Sequence, residues 1–83
     1  MNHIARSPKQ LGALIQQFRK QKGMTQTQLA ARAGLRQEMV SIIETGHAGA
    51  KISSICDLLA ALDLEMVIRS RSKSSAADIA DIF

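Results

Sequence analysis

Eighty-three residues suffice for one domain and not for two. Apolar residues make up 46% of the chain and aromatics 2%, so a core is possible without metal or disulfide, built from Leu, Ile, Ala, Val and Met. Charge is divided unevenly: residues 1–51 hold eight Lys/Arg against two acids, and residues 52–83 hold three against five, so only the N-terminal part suits a polyanion.

In chain order, residues 1–6 lack periodicity and read as a flexible arm. Ser7 followed by Pro8 starts a helix, with a hydroxyl cap and a proline at the first helical position. Leu11, Leu14, Ile15 and Phe18 recur at helical spacing. Arg19, Lys20 and Lys22 favour the negative end of the dipole, and Gly23 stops the helix, giving Pro8–Lys22. Thr25 with Gln28 forms a capping box for a second helix, whose inward face is Leu29, Ala30 and Ala33 and whose stop is Gly34. A third helix spans Gln37–Thr45, with Val40 and Ile43 inward and Gly46 at its end.

A fourth helix is expected near Lys51–Leu62, with Ile52, Ile55, Leu58, Leu59 and Leu62 as its buried stripe and Cys56 packed inside it. Leu64–Arg69 alternates imperfectly and contains β-branched residues, which reads as one short strand. A lone strand needs a partner, and the same strand of a second subunit is the simplest one, through Leu64, Met66, Val67 and Ile68. The domain is therefore expected to span residues 7–69, all-α apart from that strand, with residues 70–83 as a flexible tail.

Two short helices separated by Gly34-Leu35-Arg36 have the pattern of a helix-turn-helix. In that unit the first helix crosses the DNA backbone and the second lies in the major groove with its N-terminal residues at the base edges. The second helix should then be polar at its start and apolar behind. Gln37, Glu38 and Ser41 fit, with Val40 and Ile43 at the back. Gln can pair bidentately with adenine, Glu can accept from cytosine, and Arg36 can reach a guanine or a phosphate. The competing reading of each is a solvated polar residue on an exposed helix face.

Other chemistries find little support. The lone Cys56 has no intramolecular disulfide partner, and the two histidines lie too far from it for metal-ligand spacing, so no metal or cofactor is expected. No nucleophile–base set, carboxylate pair or phosphate loop is apparent, and the chain does not read as an enzyme. Lacking a signal-peptide pattern or long apolar run, it is expected to be cytoplasmic and away from the membrane.

Gly23-Met24-Thr25-Gln26-Thr27-Gln28-Leu29-Ala30, then Ala33-Gly34-Leu35, then Val40-Ser41-Ile42-Ile43-Glu44-Thr45-Gly46 resembles the xenobiotic-response-element family of lambda-repressor-like domains over residues 11–64. The resemblance implies a compact domain of four to five helices and double-stranded, palindromic operator DNA as partner. By that resemblance Thr25, Gln26, Thr27, Thr45 and His47 match phosphate-contacting positions, with plain solvent exposure the competing reading of His47; Lys51 is a further phosphate candidate by its charge, against idle surface charge. Arg36, Gln37, Glu38 and Ser41 match base- and phosphate-contacting ones, and Arg19 with Glu44 matches a pair that braces the first helix against the third. Arg36 departs from the Ser or Thr that often caps the recognition helix, and Ala48-Gly49-Ala50 replaces a loop that commonly holds proline.

The strand and apolar tail bring the sequence closest to HipB-like antitoxins, which are dimeric repressors that also bind a HipA-type kinase toxin. The resemblance thus implies a homodimer that autoregulates its operon, sits at the nucleoid, and contacts the toxin through Ile79, Ile82 and Phe83. A stand-alone repressor without a toxin, and an interaction module that never meets DNA, remain open alternatives.

Overall fold

The computed structural model describes residues 3–71, which contain α1 (Pro8–Gln21), α2 (Gln26–Ala33), α3 (Gln37–Glu44) and α4 (Ile52–Ala61). The termini differ from the sequence expectation by one residue where a cap was counted as helix, as at Lys22, Thr45, Lys51 and Leu62. Ser7 Oγ accepts from Gln10 N at 3.1 Å over the first turn of α1, with Pro8 behind it. The Thr25–Gln28 capping box closes in both directions: Gln28 N donates to Thr25 Oγ1 at 3.0 Å, and Thr25 N donates to Gln28 Oε1 at 2.9 Å. Gly34 ends α2 in the left-handed conformation, and Leu35 N donates back to Ala30 O at 2.9 Å.

α3 packs on both α1 and α2, while α4 closes the bundle against α2. The core consists of Ile15, Leu29, Ala30, Val40, Ile43, Leu58, Leu59 and Leu62. Fully burying a side chain such as Ile15 or Leu58 contributes about 1.5–3 kcal/mol. This agrees with the all-α expectation and with the apolar backs assigned to α2 and α3.

Three expectations need correction. The buried face of α1 is centred on Gly12, Ile15 and Arg19; of the expected set, Ile15 is fully buried, Leu11 and Phe18 are half-buried against the core, and Leu14 is half-buried to one side. The face turns because Gly12 lets the backbone of α1 touch that of α3. A Cβ on Gly12 would lie 2.3 Å from Ile43 O and 2.7 Å from Glu44 O. In α4, Ile52 is 68% exposed and Ser54 is buried instead. At roughly 100° per residue, Ile52 lies about a quarter-turn from the centre of the stripe formed by Ser54, Ile55, Leu58, Leu59 and Leu62. Cys56 lies still farther round and is exposed, not packed.

Among the described residues there is no strand; residues 64–71 continue after α4 without regular secondary structure. Leu64 is half-buried against the core, whereas Met66, Val67 and Ile68 are exposed, Ile68 by 96%. An intersubunit ribbon through residues 64–69 requires a second copy of the chain. The expected contacts Ile79, Ile82 and Phe83 lie outside the described residues, as do Met1 and Asn2. No described helix is long and apolar enough to cross a membrane.

Candidate nucleic-acid interface

The turn Gly34–Arg36 sets α3 across α2 and leaves the first turn of α3 outward. Arg36, Gln37 and Glu38 are exposed there, Ser41 is half-buried one turn later, and Val40 and Ile43 anchor the opposite face in the core. Arg36 occupies the N-cap position with extended backbone and no side-chain cap bond, as its replacement of a Ser or Thr would have it. Its guanidinium is therefore not committed to the helix terminus. Glu38 sits in the first turn of α3, where the dipole favours an acid, so it has a local role besides any base contact.

Thr25, Thr27, Thr45, His47 and Lys51 are all exposed. Thr25 is engaged in the capping box, and Thr45 Oγ1 donates to Ile42 O at 2.9 Å. Each of these hydroxyls thus has an intramolecular partner already.

Arg19 and Glu44 meet as the resemblance implied. Arg19 Nε donates to Glu44 Oε2 at 2.6 Å and Nη2 to Oε1 at 3.1 Å. Arg19 Nη1 also donates to Met24 O at 2.8 Å, which ties the loop before α2 into the same cluster. The planar fork matches the carboxylate in a way that lysine cannot.

Sequence reasoning did not foresee the extension of this cluster. Gln26, half-buried, donates Nε2 to Glu44 Oε1 at 3.0 Å. Its Oε1 accepts from Gln37 Nε2 at 2.7 Å. A continuous chain of hydrogen bonds therefore runs from α1 through α3 and α2 to the exposed residue at the start of α3. The signal available in sequence was the pair of glutamines opening α2 and α3, at matching positions eleven residues apart.

His3 was uninformative in sequence but packs its ring edge-on against Phe18, with centroids 5.0 Å apart. An open groove lies between the N-terminal segment with α1 and the chain after α4, lined in part by Leu11, Leu14, Phe18, Ile55, Met66 and Val67. Among the described residues no cluster of His, Cys, Asp and Glu could hold a metal ion.

A family model described as helix-turn-helix matches residues 15–68. By sequence, no curated protein matches the chain. Among solved structures, a HipB–O4 20mer complex is similar at TM-score 0.80 and 27% identity, covering 86% of this chain and all of that one. A chain of a HipA–HipB–O2–O3 complex is similar at TM-score 0.79 and 27% identity, and one described as MDT protein gives the same values. Both cover 86% of this chain and all of the matched chain.

Proposed function

The chain belongs to the helix-turn-helix family, and from that membership we propose that it is a dimeric, sequence-specific repressor serving as the antitoxin of a HipBA-like pair. Membership makes it a DNA-binding regulator and not an enzyme. In the proposal it represses its own operon and binds a HipA-type kinase toxin.

The observation that carries the DNA reading is the outward first turn of α3. Arg36, Gln37 and Glu38 stand free of the core there while Arg19 and Glu44 hold the helix from behind. Ser41 on the next turn completes the base-reading row, and Thr25, Gln26, Thr27, Thr45, His47 and Lys51 are the proposed phosphate contacts around it. Such contacts fix register on the duplex, and the base-edge contacts select sequence.

Met66, Val67 and Ile68 support the dimer, because a run of exposed apolar residues outside any helix is a ready partner for its own copy. Pairing through residues 64–69 would set two α3 helices on successive turns of a palindromic site. The toxin reading is supported by the likeness, over 86% of this chain, to a chain of a HipA–HipB–O2–O3 complex. In sequence it is supported by an apolar tail, Ile79, Ile82 and Phe83, after the polar run 70–75.

Co-expression with a HipA-type kinase encoded beside this chain tests the finer reading. The kinase should copurify with the full chain and be lost when residues 72–83 are removed. Absence of any retained kinase leaves a stand-alone repressor.

A further inference from the structure

Where the first turn of α1 crosses the end of α3, a cation is brought beside two of the proposed phosphate contacts. We propose that Lys9 binds a backbone phosphate there, on the DNA strand opposite the one held by the start of α2. The inference rests on the reading of α3 as the groove helix and concerns how the two walls of the groove are gripped.

A Cβ on Gly46 would lie 2.6 Å from Lys9 Cα and 3.0 Å from Lys9 N, so the two backbones touch. Gly46 stands between Thr45 and His47, both exposed, and Lys9 is exposed as well. Among the described residues Lys9 makes no ion pair. Glu44, whose backbone passes the same crossing, has its carboxylate committed to Arg19. Lys9 thus keeps its charge for a partner outside the described fold.

The eight residues of α3 rise about 12 Å, which matches the roughly 12 Å width of the major groove. The two ends of α3 therefore face the two phosphate backbones that wall the groove. The start of α2 stands at one end, where Gln37 Nε2 donates to Gln26 Oε1 at 2.7 Å. Lys9 stands at the other, with Thr45 and His47. An ammonium on a flexible four-carbon stem binds phosphate as a point charge and needs no fixed fork geometry.

A rival role lies within the fold itself. α3 has no basic residue in its last turn, so Lys9 could instead serve the negative end of that helix dipole. The two roles act on different quantities. A phosphate contact sets DNA affinity and its salt dependence, whereas a dipole partner sets stability.

The test uses the full chain, a duplex that it selects from a pool of randomised double-stranded DNA, and a scrambled duplex. Lys9→Gln should weaken binding to both by the same factor, leaving their ratio unchanged. The slope of log affinity against log salt should fall by about 0.9 per half-site, and Lys9→Arg should keep the wild-type slope. Uncharged methylphosphonate linkages, placed one at a time along each strand, then locate the contact. One such linkage per half-site should weaken wild type yet leave Lys9→Gln unaffected. The linkage to which Thr27→Ala is insensitive, at the start of α2, should lie on the other strand.

An unchanged salt slope in Lys9→Gln overturns the inference, and a lowered melting temperature beside it assigns Lys9 to the α3 dipole. A changed ratio between the two duplexes marks a base contact and overturns it too. Lys9-dependent and Thr27-dependent linkages on one strand overturn the opposed grip. A wild type that selects no duplex overturns the reading of α3 itself.

Discussion

Arg19 and Glu44 form a fork-to-fork ion pair joining α1 to α3, with side chains only 9% and 1% exposed. Removing one member leaves the other charge buried and unpaired. Arg19→Met and Glu44→Ala should each destabilise the fold by about 3–5 kcal/mol. The double replacement Arg19→Met with Glu44→Met should cost less than either single change, because no charge is then stranded. Urea denaturation followed by far-ultraviolet circular dichroism gives the comparison.

Gly12 is where α1 and α3 touch backbone to backbone. Gly12→Ala places a methyl group 2.3 Å from Ile43 O and 2.7 Å from Glu44 O, neither of which can move alone. We expect about 1–3 kcal/mol of destabilisation from the overpacking, despite the better helix propensity of alanine. Thermal melting of Gly12→Ala beside the exposed control Ala13→Gly separates the two effects. A Gly12→Ala variant more stable than wild type would contradict the close crossing.

The local features of the fold were legible in the sequence and the crossings between helices were not. Ser7-Pro8 and Thr25-Gln28 announce their helix starts because a cap and its partner lie within three residues of one another. Arg19 and Glu44 are 25 residues apart, and only the family resemblance paired them. Gly12 carries no periodic signal, so the phase of the α1 face was set by its leucines and came out rotated. Ile52 and Cys56 are exposed for a related reason, since period alone does not say where a stripe is centred. The link from Gln26 to Gln37 needs the angle between α2 and α3, which no residue pattern states.

Asp63 follows α4 with φ of 61°, a left-handed conformation usually taken by glycine at a helix end. Asp63 N donates to Ala60 O at 3.1 Å and Leu64 N to Leu59 O at 2.8 Å, so the turn is a closed cap. Asp63→Gly should relieve backbone strain and raise stability by about 0.5–1 kcal/mol, seen as a higher melting temperature. A lower melting temperature would place the conformational preference of Asp63 elsewhere.

Val67 is 71% exposed in the segment that follows α4. Val67→Pro removes a backbone donor from the proposed ribbon without entering the core. It should convert a dimer to a monomer by analytical ultracentrifugation while the helical signal is retained. A dimer that survives the substitution would move the subunit contact away from residues 64–69.

The central claim is that α3 reads DNA sequence from its first turn, and Gln37→Ala tests it most directly. Fluorescence anisotropy at one fixed salt concentration would compare wild type and variant on DNA from upstream of this chain's own reading frame and on a scrambled duplex. Wild type should bind the upstream duplex at least about 1,000-fold more tightly than the scrambled one. Gln37→Ala should narrow that gap by about 1–3 kcal/mol with the scrambled affinity unchanged. Equal wild-type affinity for the two duplexes, or a gap untouched by Gln37→Ala, would contradict the account.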